Sequence, residues 1–126
     1  HKDRGFHADD ALIFMEIGDY RRAMWAVDRI LLAESDGIVC MDDHISALVL
    51  GCLRERGVEV PSRIRLASLY DSHQMEQNLP AVTSLRFDTS ELGRNACLEM
   101  LRMLGEELFQ EPQKLDYQVI LRESTK

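Results

Sequence analysis

Apolar positions along this chain fall into two kinds of run, and their alternation predicts the order of elements. Residues 6 to 16 carry Phe6, Ala8, Ala11, Leu12 and Met15 at mixed three- and four-residue steps, the spacing of one helix face. Gly18-Asp19 breaks that helix. Residues 20 to 34 repeat the helical pattern through Ala23, Met24, Val27, Ile30 and Leu31. Gly37 to Met41 is a short apolar run without polar alternation, which suits a strand buried on both faces, as in a parallel sheet. Asp42-Asp43 ends the strand. Asp43 is the expected N-cap of a helix to about Arg56, with Arg54 and Arg56 complementing its carbonyl end and Gly57 as its stop.

Pro61 precedes a second strand over Ile64 to Leu69. Asp71 and Ser72 open a turn or short helix to Asn78, and Pro80 precedes a third strand over Val82 to Phe87. Asp88, with Glu91 three residues on, resembles a capping box at the head of a helix over 89 to about 109. Leu92, Ala96, Met100, Leu101, Leu104 and Leu108 share one face of that helix. Glu111-Pro112-Gln113 is a loop, and Tyr117 to Leu121 is the last strand. Helices alternating with short buried strands predict a three-layer α/β/α fold with a mainly parallel sheet.

Composition narrows what such a fold does. The chain has 126 residues, 45% hydrophobic and 29% charged, which suits one folded core. Its formal net charge of −7 argues against phosphate-backbone binding by this piece, and against an anionic membrane surface. No apolar run approaches the ~20 residues of a membrane helix. The start lacks both Met and an apolar signal segment, so the chain is expected to begin inside something longer. Cys40, Cys52 and Cys97 are odd in number, far apart and set in apolar stretches, as expected of reduced, packed thiols without a disulfide or a metal. The methionines at helical spacing are expected to fill the core, as is Trp25.

In open α/β sheets, ligands bind beyond the carboxyl ends of the strands. The first strand ends in Asp42-Asp43 and the second in Tyr70-Asp71, so neighbouring strands aim carboxylates at one edge. A carboxylate there can accept charge-assisted hydrogen bonds from hydroxyls or an amine. The bland alternatives are a cap for Asp43 and a turn for Asp71. Tyr20, at the mouth of a helix, could stack on a flat ligand or a sugar face, or simply pack. His44 has no acidic or thiol partner at catalytic spacing and is expected to be structural or exposed. There is no Gly-rich phosphate loop, no Gly-x-Ser-x-Gly and no His-Glu-x-x-His, so nothing argues for an enzyme. A phospho-acceptor receiver domain fits poorly. Its acidic pair belongs near the start of the chain, and Thr83-Ser84 falls within a strand, with Thr83 only twelve residues after Asp71.

Five motifs in order, however, resemble the sensor domain of the lactose-repressor/galactose-repressor (LacI/GalR) family. They are Gly37-Ile-Val-Cys-Met-Asp-Asp-His-Ile-Ser-Ala-Leu, Leu53-Arg-Glu-Arg-Gly-Val-Glu-Val-Pro, Ala67-Ser-Leu-Tyr-Asp-Ser, Pro80-Ala-Val-Thr-Ser-Leu-Arg-Phe and Glu91-Leu-Gly-Arg-Asn-Ala. The ending Leu121-Arg-Glu-Ser-Thr and the opening Arg4-Gly-Phe are similar to the family's as well. The resemblance implies a periplasmic-binding-protein-like domain of two α/β lobes with ligand between them. Residues of about 1–87 and 113–126 would form the C-terminal lobe, and about 88–112 a helix of the other lobe. Operator DNA would be bound only through an N-terminal domain outside this chain, in a cytoplasmic homodimer. The effector would be a sugar or nucleoside-like molecule, with no cofactor and no membrane. A solute-binding protein that serves a transporter is the alternative within the same fold.

The resemblance carries over residue by residue. Asp71 matches the family's acidic ligand contact, although Ser68-Leu69 stands where a glycine is usual. Asp42 stands in place of the family's Asn, beside the matching Asp43. That change keeps an acceptor, removes an amide donor and adds like charge near Asp71. It is expected to raise a carboxyl pKa or to favour a donor-rich or cationic effector. Tyr20 fits the family's aromatic stacking position. Ala47, Leu50 and Leu79 are the implied dimer contacts, or plain core.

Overall fold

Strand order follows chain order. In the computed structural model, which describes residues 10–105 and 113–126, four strands form one sheet in the order β1-β2-β3-β4. The elements are α1 (Tyr20–Leu32), β1 (Gly37–Cys40), α2 (Asp43–Glu55), β2 (Arg65–Ser68), α3 (His73–Gln77), β3 (Thr83–Phe87), α4 (Thr89–Met103) and β4 (Tyr117–Ile120). β1 and β2 pair in parallel with Cys40 beside Ser68, and β2 and β3 pair in parallel with Ser68 beside Ser84. β4 closes the sheet antiparallel to β3, with Ile120 opposite Ser84. The carboxyl ends of β1 and β2 therefore share an edge, and β3 runs three residues beyond its last pairing with β2.

Local chemistry explains the helices. Asp19 caps α1 by accepting from the Arg22 amide at 2.9 Å. α1 then buries Ala23, Ala26, Val27 and Ile30, a stripe at steps of three and four. Val49, Leu50, Cys52 and Leu53 of α2 meet that stripe, and Ile64, Leu66, Met75 and Val82 complete the core. α2 ends in a Schellman turn. The Val58 amide donates to Leu53, the Gly57 amide donates to Arg54, and Gly57 takes φ 67°. α4 is capped by Asp88, which accepts from the Ser90 and Glu91 amides. The Glu91 carboxylate pairs with Arg94, so only half of the expected capping box forms.

Several expectations are corrected. The helix over 6 to 16 is, among the described residues, one 3₁₀ turn at Asp10–Leu12 followed by non-helical chain to Asp19; residues 6–9 lie outside the described residues. Leu12, Ile13 and Met15 find no face to pack on and are exposed, and Glu16 turns left-handed at φ 57°. The cap of α2 is Asp42, not Asp43: Asp42 is extended and its Oδ1 accepts from the Ile45 amide at 2.7 Å. Trp25 is half exposed, because it falls off the buried stripe of α1; it packs edge-on to Phe14 and under Arg22. β1 is the edge strand, and Val39 stays exposed on a face that nothing described covers. Cys40 and Cys52 are buried as expected, but Cys97 is exposed. Of the methionines, Met75 is buried and Met24 packs against the core, while Met15, Met41, Met100 and Met103 are exposed.

Cys97 and two of those methionines belong to α4, which buries no residue. Leu92, Met100, Leu101 and Leu104 are all exposed on it. The expected continuation over 106 to 109, with Leu108, lies outside the described residues. The C-terminal turn Glu123–Thr125 does the opposite. Ser124 is fully buried, donates its hydroxyl to the Leu66 carbonyl at 2.6 Å and accepts from the Thr83 amide at 2.9 Å. It ties the chain end beneath β2 and β3.

Candidate functional site

The carboxyl edge of β2 and β3 holds a polar cluster around Asp71. Three residues past the end of β2, Asp71 turns toward β3 and is gripped by three side chains. Arg122, just after β4, donates Nη1 to Oδ1 at 2.8 Å, and the Ser84 hydroxyl donates to the same oxygen. Arg86 donates Nε to Oδ2 at 2.6 Å. Ser84 and Arg86 stand two apart on β3, so they project to one face. Arg122 Nη1 also donates to the Val82 carbonyl and contacts Ser84.

The Asp71 side chain is 5% exposed and that of Arg122 10%, whereas Arg86 is 53% exposed. Burial by itself pushes the Asp71 carboxyl up. The hydrogen bonds from Arg122, Ser84 and Arg86 outweigh it and bring the pKa down to about 2. The expected rise through crowding with Asp42 is therefore corrected: Asp71 turns to two cations on its β3 side, and Asp42 is occupied as a cap. Asp43 Oδ1 accepts from the His44 amide, and His44 is exposed.

Tyr20 is held elsewhere. Its hydroxyl donates to Glu55 in the last turn of α2, the helix whose first turn Asp42 caps. Thirteen helical steps, about 20 Å along the axis, separate those two ends. The bond to Glu55 is the main cause that pushes the Tyr20 phenol up to about 12. Tyr20 lines a groove of about 410 Å³ with Met24, Trp25, Glu55 and the Arg56–Asp28 pair, which is bidentate at 2.7 and 2.8 Å. The structure thus sets Asp42 and Asp71 on one edge and does not bring Tyr20 to them. Of the residues read as dimer contacts, Leu50 is 4% exposed and packed in its own core, so it is not available on a surface. Ala47 is half-buried, and Leu79 is exposed with its carbonyl accepting from Arg54.

Sequence reasoning missed Ser84, Arg86 and Arg122 as site residues. The alternation of β3 placed Ser84 and Arg86 on one face, but nothing local tied them to Asp71. Arg122 lies 51 positions from it.

A mainly parallel sheet with a polar clasp beyond its strand ends is a lobe of the open α/β type. The family model described as "Periplasmic binding protein-like domain" matches residues 5–125, and the chain belongs to that family. Its relatives are transcription regulators of the LacI type. It is 28% identical over 90 residues to the HTH-type transcriptional regulator RegA of Clostridium saccharobutylicum, covering 71% of this chain and 27% of RegA. The structure of the regulator CcpA of Lactococcus lactis superposes with a TM-score of 0.81 at 25% identity, covering 99% of this chain and 46% of CcpA. A complex of the regulator CelR with cellobiose superposes with a TM-score of 0.77 at 26% identity, over 98% of this chain and 38% of CelR. The chain spans less than half the length of each of these proteins. No described helix is long and apolar enough to cross a membrane.

Proposed function

We propose that this chain is the effector-sensing and dimer-forming portion of a transcription regulator, and that it acts without covalent chemistry. The observation that carries this reading is the family match over residues 5–125 combined with a charged clasp at the carboxyl edge of the sheet. The effector is a sugar or a nucleoside-like metabolite; the CelR complex holds cellobiose, which favours the sugar. Operator DNA is contacted by a helix-turn-helix domain outside this chain, as RegA's description suggests. The regulator is a cytoplasmic homodimer and a repressor. Residues 1–87 and 113–126 form one lobe, and about 88–112 belong to a second lobe. The exposed apolar face of α4 supports that division, because a helix with Leu92, Met100, Leu101 and Leu104 in water lacks its packing partner. Ligand between the lobes favours one arrangement, and that differential affinity changes operator binding.

The test is calorimetric titration of neutral, acidic and phosphorylated sugars and of nucleosides against the full-length protein and its Asp71→Asn variant. At least roughly tenfold weaker effector binding by the variant is expected, because it removes the carboxylate that holds Arg86 and Arg122 in place. Equal binding by both would remove Asp71 from the site.

A further inference from the structure

An effector that met a bare carboxylate at this edge would be bound through its hydroxyls or an amine. Asp71 is not bare. Its Oδ1 already accepts from Arg122 and Ser84 and its Oδ2 from Arg86, and its side chain is almost fully covered. The group that the clasp around Asp71 presents to solvent is the guanidinium of Arg86. Only its Nε is engaged by Asp71, and its two Nη groups have no hydrogen-bond partner among the described residues. Four N–H donors are therefore unused, in a fork that matches paired anionic oxygens. Asp71 fixes the Nε side and so limits which way that fork turns. Two guanidiniums against one carboxylate leave the clasp with a net charge of +1. On the neighbouring strand end one oxygen of each aspartate is engaged, Asp42 Oδ1 by the Ile45 amide and Asp43 Oδ1 by the His44 amide.

We infer that Arg86 is a specificity-determining residue that selects an effector carrying an anionic group, a carboxylate or a phosphate, on a sugar-like body. This inference rests on the reading of the carboxyl edge as the effector site. It reverses the preference for a cationic ligand that the paired aspartates suggested in the sequence. An Arg fork meets a carboxylate or a phosphate with two parallel hydrogen bonds and an opposite charge, neither of which a single neutral hydroxyl offers.

The experiment is calorimetric titration of the full-length protein with gluconate, inorganic phosphate and neutral glucose, repeated on Arg86→Gln. Saturable binding of an anion is expected, with glucose at least roughly tenfold weaker, and Arg86→Gln should weaken the anion at least roughly tenfold. Gluconate and phosphate separate a carboxylate site from a phosphate site. Absence of saturable anion binding, or equal anion binding by Arg86→Gln, overturns the inference. Should Arg86→Gln fail to fold by circular dichroism, Arg86→Lys decides, because it keeps the charge and loses the fork. Anion affinity equal to that of the wild type would then overturn it. Asp71-dependent binding of glucose without anion preference also overturns it, yet leaves the effector-site reading standing. An anion bound through Arg86 that leaves operator affinity unchanged would instead count against the regulatory reading.

Discussion

Arg122 and Asp71 lie 51 positions apart in the chain and 2.8 Å apart in the structure. The pair joins the segment after β4, the last strand, to the turn after β2. It is nearly buried at both ends, so removing one partner strands a charge. Arg122→Met should destabilise the protein by about 3 kcal/mol, at the low end for a buried pair because Arg86 remains on Asp71. Urea denaturation measures this. Replacing both partners, Arg122→Met with Asp71→Leu, should recover part of the loss. A double variant as unstable as the sum of its parts would mean that the two residues act independently.

The same pair sets an acid limit. The folded-state pKa of Asp71, about 2, lies below the ordinary value of 3.8. A depressed carboxyl stabilises the fold fully above its unfolded pKa and loses that contribution as pH falls through the folded one. The difference in unfolding free energy between wild type and Asp71→Asn should therefore be flat above about pH 5. It should shrink by about 2 kcal/mol between pH 4 and pH 2. A difference that grows toward acid would contradict the assigned pairing.

Much of this fold was legible in the sequence because its signals are local. Gly57 marks the end of α2, Asp88 marks the start of α4, and the apolar runs at 37, 64 and 82 mark parallel strands. The failures have local causes too. Asp42 and Asp43 are both good caps, and only the backbone shows that strand β1 stops at Cys40 and leaves Asp42 extended. The segment around Phe14 has helical spacing, yet Leu12, Ile13 and Met15 stay exposed there, and spacing alone does not report partners. The site was half legible. The strand-end rule pointed to Asp71 and Asp42, but a carboxylate's partners are set by tertiary contact, so the two cations on Asp71, Arg86 and Arg122, went unseen. Tyr20 went the same way, because the partner that holds its hydroxyl is Glu55, 35 positions on.

Ser124 is the second long-range tie. Its hydroxyl bridges the Leu66 carbonyl and the Thr83 amide, and none of the bridge is open to water. Ser124→Ala leaves a buried donor and a buried acceptor unpaired. A loss of about 1–3 kcal/mol is expected, read as a lower urea midpoint at constant slope. An unchanged midpoint would mean that water takes the place of the hydroxyl.

Glu34 is strained where α1 ends. Its φ is 54°, in the left-handed region that favours glycine, and the Ser35 amide donates back to the Ile30 carbonyl as in a Schellman turn. Its side chain is exposed, so truncation loses no packing. Glu34→Gly should stabilise the protein by about 0.5–1 kcal/mol, the relief of the left-handed strain exceeding the extra freedom that glycine has when unfolded. Glu34→Val should go the other way, because a β-branched residue tolerates that region least. Equal melting temperatures for all three proteins would show that the turn relaxes.

The three thiols differ in access, and that difference tests α4. Cys40 and Cys52 are buried; desolvation pushes the Cys40 thiol up to about 11 and raises that of Cys52 as well. A thiol that is both covered and protonated is a poor nucleophile. Cys97 is exposed on α4, at helical spacing from Leu101 and Met100, so it lies within the helix's apolar arc. In the native 126-residue chain one thiol should react quickly with a chromogenic disulfide, and all three should react in denaturant. In the full-length protein a second lobe packed on α4 would cover that arc and slow the fast thiol. Equal rates for Cys97 in both proteins would leave α4 without the partner that its exposed leucines require.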